Sequence, residues 1–370
     1  MTFEEALRAN PFTPVFGKVP PFMAGREQVI NDIIMALLSN GNSPDICSIF
    51  VGARGTGKTA LLTYLSREAG RRGWITARVT ATSGMLEDIL QRLHESAAHL
   101  VDNQPTRRLS GVEIAPLGGI TWETAADTPA NWRTRMNELF TDLEKTETGV
   151  LICVDEVNPE LDEMEQLVTT YQHFIGEGKR VMLLMAGLPH RVSRLLSGRS
   201  TSFLRRAARH NLGPIPNYEM EETFRLTVES GGKRIDDEAL REAVAAIDGF
   251  PFMLQLVGYR AWNATGIGDV IDTESIRRGI RLAQEELEHR VFDATLAELS
   301  KGDLAFLQAM VPDEKETDRA DLAKRLKRSS SYVSTYKKRL LEAGVIEERK
   351  PGTFTFALPG FRDYLRGKGR

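Results

Sequence analysis

Gly52-Ala53-Arg54-Gly55-Thr56-Gly57-Lys58-Thr59 has the spacing G-x-x-x-x-G-K-[ST], and its flanks give it meaning. Residues 45–51, just before it, are a short and nearly continuous apolar run, the pattern of a buried strand. Residues 57–69, just after it, set Leu61, Leu62 and Leu65 on one helical face, with Gly70 as the stop. Strand, glycine-rich turn and helix in that order make a phosphate cradle. The glycines allow positive φ, so successive N–H groups can turn inward toward phosphate oxygens, and the helix N-terminus adds its dipole. Lys58 would reach the β- and γ-phosphates, and the Thr59 hydroxyl would coordinate Mg²⁺. The expected nucleotide contacts are therefore Gly52, Ala53, Arg54, Gly55, Thr56, Gly57, Lys58, Thr59 and Ala60.

Outward from this loop, strand-like runs alternate with helical patterns. Residues 74–80, 149–154, 181–186 and 209–215 read as strands. Residues 86–100, 131–145 and 161–175 read as helices, and residues 107–124 as an extended, glycine-rich excursion, either an inserted hairpin or plain surface. Alternation of this kind implies parallel βαβ units and a doubly wound α/β sheet. After Pro216 the pattern changes. Residues 219–291 read as helix throughout, broken at Gly231-Gly232, Gly249 and Gly266, and a third unit starts near Ser300. The expected division is residues 1–217 for the nucleotide domain, 218–297 for a helical lid and 298–370 for a C-terminal domain.

Composition agrees with that size. The 370 residues are 41% hydrophobic and 27% charged, with a formal net charge of −3. At about 100–200 residues per domain, this allows two or three domains. No apolar run approaches the roughly 20 residues of a membrane span, and the acidic start lacks a secretory layout. Cys47 and Cys153 both sit in apolar runs, so a disulfide scaffold is excluded and a cytoplasmic location fits. The six histidines show no metal-like spacing with acidic or cysteine partners.

A second acidic signal follows the loop. Val150-Leu-Ile-Cys-Val154-Asp155-Glu156 is an apolar strand with two carboxylates at its C-terminal tip, the edge where ligands sit in an open α/β sheet. Asp155 would hold Mg²⁺, and Glu156 would polarise an attacking water as general base. Read without the loop upstream, the same pair has an equal alternative, as a cap on the next helix.

With these residues in place the chain resembles the AAA+ branch of P-loop NTPases, over nearly its whole length. It is most similar to the group containing archaeal origin-recognition initiators, STAND-type switch ATPases and transposition-associated ATPases. Phe22-Met-Ala-Gly25-Arg26-Glu27 is similar to that group's F-x-x-G-R-E segment, which implies that Gly25 and Arg26 lie near adenine. Ser202-Phe-Leu-Arg205-Arg206 precedes the last strand, where the resemblance implies an arginine finger for a neighbouring subunit's γ-phosphate; a solvated basic helix end is the alternative. Asp248-Gly249-Phe250-Pro251-Phe252 resembles the G-x-P motif of the STAND lid, so Pro251 is expected near the nucleotide, and it also suits a first helical turn. Two features depart from the family. The strand ending Met185-Ala186-Gly187 carries no polar tip residue, and the lid lacks the usual arginine. Both imply slow hydrolysis, or a switch that reads ATP against ADP.

The last unit reads as helix, helix, turn, helix and hairpin. The helices span residues 301–310, 319–327 and 330–343, and the strands 345–349 and 353–358. This is similar to a winged helix, whose third helix enters the DNA major groove. Ser331, Tyr332, Ser334, Thr335, Lys337, Lys338 and Arg339 on that helix, with Arg349 and Lys350 at the wing tip, are the candidate DNA contacts. A basic module on an acidic chain is the electrostatic footprint of phosphate binding, while a winged helix used for protein contacts is the other reading. The expectation is an ATP- and Mg²⁺-dependent ATPase on double-stranded DNA, homo-oligomeric with ATP, or a STAND-like switch with a protein partner.

Overall fold

The computed structural model describes residues 2–15, 17–39, 41–102, 129–358 and 360–368. The expected excursion at residues 107–124 lies outside the described residues.

Five strands, β1 (Cys47–Val51), β2 (Ile75–Thr80), β3 (Val150–Asp155), β4 (Val181–Gly187) and β5 (Ala208–Asn211), form one sheet in the order β2-β3-β4-β1-β5. Every neighbouring pair is parallel. β3 and β4 are buried at all positions, as strands covered on both faces must be. Alternation along the strands sorts side chains into two cores. Phe50, Leu151, Cys153 and Leu184 pack with helices α2 (Glu27–Leu38) and α3 (Lys58–Arg71). Ile49, Ile75, Ile152 and Met185 pack with α4 (Met85–Asp102), α5 (Pro129–Glu144), α6 (Asp162–Gly176) and α7 (Pro189–Ser197) on the other face. The doubly wound α/β reading holds. A short helix, α1 (Phe3–Arg8), precedes the domain, closed by a Thr2–Glu5 capping box.

The next unit contains α8 (Asn217–Ser230), α9 (Asp237–Ile247), α10 (Pro251–Thr265) and α11 (Thr273–Leu287). It is not helical throughout: β6 (Arg234–Ile235) pairs in parallel with β7 (Val270–Ile271). Strands of two residues have no period to read, and this pair is held by tertiary contacts. Lys233 Nζ donates to the carbonyls of Gly266 and Gly268 and lies over the Trp262 ring. α10 and α11 approach closely because Gly279 has no side chain; a Cβ there would lie 2.7 Å from the Ala261 nitrogen.

A π-helical turn at Glu288–Phe292 leads through α12 (Asp293–Ala297) into the C-terminal unit. That unit comprises α13 (Lys301–Met310), β8 (Thr317–Asp318), α14 (Arg319–Leu326), α15 (Ser330–Glu342), β9 (Ile346–Lys350), β10 (Thr353–Phe356) and α16 (Phe361–Lys368). Its sheet is antiparallel in the order β8-β10-β9. Ser300 and Asp303 form a capping box on α13, and Ser329 caps α15 by accepting from the Tyr332 amide. The sequence pattern does not point to α16; it buries Phe361, Tyr364 and Leu365, with Phe361 5.0 Å from Phe292. One core runs continuously from Phe224 and Trp262 to Phe306, Leu340 and Phe354, so the second and third units share their interior. Among the described residues no helix is long and apolar enough to cross a membrane.

Candidate nucleotide site

β1 lies between β4 and β5, so the loop leaving it opens at the carboxyl edge of the sheet, where α/β sheets bind ligands. Gly55 and Gly57 have φ of +81° and +87°, the left-handed values that favour glycine. Gly52 has no room for a side chain, since a Cβ would stand 2.7 Å from the Leu212 carbonyl oxygen and from Thr56 Oγ1. Lys58 opens α3 directly after Gly57. Its buried Nζ donates to the carbonyls of Gly52 at 2.9 Å and Ala53 at 2.7 Å, and Thr56 Oγ1 donates to Ala53 at 2.9 Å. Burial pushes the Lys58 ammonium below its ordinary value, and Glu156 and Asp155 push the other way.

The two acids stand at the tip of β3, beside this lysine. Thr59 Oγ1 donates to Asp155 Oδ2 at 2.6 Å, and Asp155 is buried. Thr59 hydroxyl and Asp155 carboxylate are hard oxygen donors in contact, a set that suits Mg²⁺. Glu156 has φ of +54°, and its N–H bonds Asp155 Oδ1 at 2.9 Å. This left-handed turn ends β3 abruptly and leaves the Glu156 carboxylate half-exposed, 4.0 Å from Arg191 on α7. Nothing in the spacing points to Arg191; only the fold of α7 across the strand tips brings it there.

Two further segments close on the loop. The Arg26 guanidinium is buried and donates to the carbonyls of Gly25, Thr56 and Gly213, tying the start of α2 and the exit of β5 to the phosphate loop. Desolvation lowers its pKa, and the Glu219 carboxylate opposes that shift. Gly25 has φ of +61°, and a Cβ on it would come within 2.8 Å of Ile215 and 2.9 Å of Glu219. Pro251 starts α10 next to the loop: a Cβ on Gly57 would lie 3.9 Å from Pro251, and one on Gly55 3.6 Å from Phe252. The loop residues, Ala60 at their end, thus stand together with Asp155, Glu156, Gly25, Arg26 and Pro251. Arg205 and Arg206 do not join them. They are exposed just before β5, whose first residue pairs with Ser48 in the front half of β1, away from the loop; Arg205 Nε donates to the Leu196 carbonyl.

The C-terminal candidates fall into two groups. Ser331, Thr335, Arg349 and Lys350 are exposed, with Arg349 3.9 Å from Glu347. The Tyr332 ring packs tilted against Tyr336, 4.5 Å between centroids, beneath the Arg328 guanidinium, and Ser334 accepts from Arg319 at 2.8 Å. The second group is paired: Lys337 with Glu348 at 3.2 Å, Lys338 with Glu342 at 3.8 Å, and Arg339 with the buried Asp303 at 2.8 Å. α15 also packs against α7, which flanks the five-stranded sheet, with Arg194 3.6 Å from Glu342. Another acid of this unit, Glu347, shares an electrostatic interaction with Lys58; neither Glu347 nor Arg194 is marked out by the sequence pattern.

Residues 289–365 match a family model described as a domain of unknown function (DUF8462). No curated protein matches the sequence. Among solved structures, the chain is similar to the Aeropyrum pernix ORC2 protein in ADPNP–ADP complexes, with a TM-score of 0.60 at 16% identity, covering 95% of this chain and 94% of that one. The ADP form of the same protein gives 0.55 at 16% identity, covering 96% of each chain. Cdc6p from Pyrobaculum aerophilum gives 0.50 at 16% identity, covering 96% of this chain and 97% of that one. These likenesses extend over nearly the whole chain and show that it shares its fold with the ORC2 and Cdc6p proteins.

Proposed function

We propose that this chain, with its origin-recognition-like AAA+ fold, is a cytoplasmic ATPase that binds double-stranded DNA and couples ATP binding and hydrolysis to assembly on it. The observation that carries the ATPase reading is the Thr59–Asp155 contact at 2.6 Å beside the buried Lys58, on the tip of the central strands. Nucleotide complexes of the Aeropyrum ORC2 protein support the same ligand class.

The domains would be residues 1–217, 218–297 and 298–370, the last a winged helix. ATP would lie between the phosphate loop and Pro251, its phosphates on the N–H groups of residues 53–60 and its base near Gly25 and Arg26. Lys58 would leave its loop carbonyls for the β- and γ-phosphates. Thr59 and Asp155 would hold Mg²⁺, which screens phosphate charge when bound. Glu156 would accept the proton of the attacking water, with Arg191 holding its carboxylate. Arg205 or Arg206, exposed and remote from the chain's own loop, would serve the γ-phosphate of an adjacent copy in a homo-oligomer. Ser331, Tyr332, Ser334 and Thr335, with Arg349 and Lys350, would meet the duplex.

A second reading, a STAND-like switch whose C-terminal unit contacts protein, has a specific observation in its favour. Lys337, Lys338 and Arg339 already have carboxylate partners, and α15 packs on α7. The test is steady-state ATP hydrolysis by the purified chain, with and without duplex DNA at low salt. Stimulation by DNA supports the first reading. ATP bound with negligible turnover and no DNA effect supports the second.

A further inference from the structure

The tip of the β9–β10 hairpin and the start of α15 form one surface, and Arg319 joins them. Arg319 is the exposed first residue of α14. Its N–H donates to the Gly352 carbonyl at 2.8 Å, in the turn between β9 and β10. Its guanidinium donates to the Ser330 carbonyl at 3.1 Å, to Ser330 Oγ at 2.5 Å and to Ser334 Oγ at 2.8 Å, on the first turns of α15. The hairpin cations Arg349 and Lys350 thus belong to the same surface as the exposed Lys327 and Arg328, which immediately precede α15. Asp318, the acid next to Arg319, accepts from Thr353 Oγ1 at 3.1 Å.

Among the described residues, this surface offers no side chain placed to tell one base pair from another. The usual readers are Arg or Lys on guanine and Asn or Gln forked onto adenine. Residues 298–370 contain no asparagine and one glutamine, Gln308, which lies on α13 and donates to the Leu365 carbonyl. The cations of α15 itself are turned elsewhere. Lys337 and Lys338 line the docking cleft of about 400 Å³ between α7 and the C-terminal unit. Arg339 lines a recess with Arg54 of the phosphate loop and donates to Asp303. On the first turns of α15 the Tyr332 ring is packed against Tyr336, and the other outward groups are short hydroxyls. Ser334 Oγ donates back to the Ser330 carbonyl at 3.0 Å, and Thr335 Oγ1 to that of Ser331 at 3.1 Å. Ser and Thr pair with any base and single out none. The outward cations lie on the turns that flank α15, where a helix set in a groove meets backbone rather than base edges.

We propose that the C-terminal unit holds duplex DNA of any sequence by its sugar–phosphate backbone, with Arg319 as the central phosphate ligand; this rests on the DNA-binding reading above. A phosphate oxygen takes the place of Ser330 and Ser334 as the acceptor for the Arg319 guanidinium. Lys327 and Arg328 on one side and Arg349 and Lys350 on the other add further charge. Affinity then comes from counterion release and carries no sequence information.

The test is fluorescence anisotropy of the full chain on short duplexes of unrelated sequence, A·T-rich, G·C-rich and mixed, over a salt series. Wild-type affinities should agree within about fivefold, the least that one wrong base pair costs a sequence reader. Selection from a pool of random duplexes should enrich no motif. Arg319→Gln should weaken every duplex alike and lower the slope of log affinity against log salt by about 0.9, the value of one phosphate. Arg319→Lys keeps the charge and should keep the slope. A wild-type spread above about fivefold, or an enriched motif, overturns the inference and leaves DNA binding in place. A wild-type slope retained in Arg319→Gln overturns the role of Arg319, since a merely structural loss would lower affinity and melting temperature without touching the slope. Failure of wild type to bind any duplex at low salt overturns the DNA-binding reading, and this inference with it.

Discussion

The Thr59 hydroxyl donates to Asp155 across 96 positions of sequence, closing a 2.6 Å contact between the first turn of α3 and the tip of β3. This single bond joins the phosphate loop to the acidic strand. If the two oxygens share a magnesium ion, Asp155→Asn should weaken ATP binding about 10- to 150-fold, the value of a hydrogen bond or contact to a charged group. Titration with and without EDTA checks it. Wild type should lose affinity when the metal is removed, whereas Asp155→Asn should already be weak and insensitive. A variant that keeps the full effect of EDTA sinks the metal assignment.

Glu156 turns out of β3 in a left-handed conformation, so glutamine can take its place with the same backbone and the same size. As general base its loss should lower turnover about 100- to 10,000-fold, with ATP still bound. Single-turnover hydrolysis against measured affinity separates the two effects. Wild-type turnover in Glu156→Gln would remove this residue from the chemistry.

Lys58 carries a different expectation, because in this chain it also satisfies the carbonyls of Gly52 and Ala53. Lys58→Ala should abolish nucleotide binding and also cost about 1–2 kcal/mol of stability, as two buried acceptors are left without a donor. Calorimetric titration and a denaturant melt read the two effects independently. Retained binding would contradict the phosphate-loop role.

Much of this arrangement is legible in the residues. Short apolar runs such as Val150–Asp155, bounded by turn residues and rich in β-branched side chains, suit a strand covered on both faces, and Gly55 and Gly57 take the left-handed turn of the loop. The expected strand at residues 209–215 is shorter, Ala208–Asn211, because Gly213 and Pro214 leave the sheet for Arg26 and Gly249. The two-residue strands β6 and β7 and the helix α16 carry too little periodicity to be read. Contacts made by docking lie further beyond reach. The pairing of Arg191 with Glu156, or of Arg194 with Glu342, depends on where α7 lies between two units. The basic run 337–339 reads as a solvated cationic face, and its partners Glu348, Glu342 and Asp303 come from three different elements or turns.

His190 lies in the docking cleft with its Nε2 buried and without a partner, and desolvation, aided by the Arg191 and Arg194 charges, lowers its pKa to about 4. Above about pH 6.5 the ring is neutral whether folded or unfolded, and stability is at its full value. Between about pH 6.5 and 4 the unfolded chain binds a proton that the folded chain refuses, so stability falls as pH falls. Because the ring is only half-buried, about 1–2 kcal/mol is expected over that window. His190→Asn should remove this slope. Unfolding free energies of both proteins at several pH values give the difference, and parallel curves would refute it.

Arg339 and the pair Arg349 and Lys350 should behave oppositely. Arg339 is the cation for Asp303, which is 1% exposed at the capping box of α13, whereas Arg349 and Lys350 project from the hairpin into solvent. Removing the arginine leaves Asp303 with only its capping-box bonds from Ser300 and no cation, so Arg339→Ala should cost about 1–3 kcal/mol of stability. Neutralising both hairpin cations should leave the melting temperature nearly unchanged, since exposed charges contribute little. If they meet duplex phosphates, the double variant should reduce the slope of log affinity against log salt by about 0.9 for each phosphate that is no longer neutralised. Fluorescence anisotropy on a short duplex over a salt series, paired with thermal melts, measures both quantities. An unchanged slope in the double variant would take the hairpin out of the DNA interface and favour the switch whose C-terminal unit meets protein.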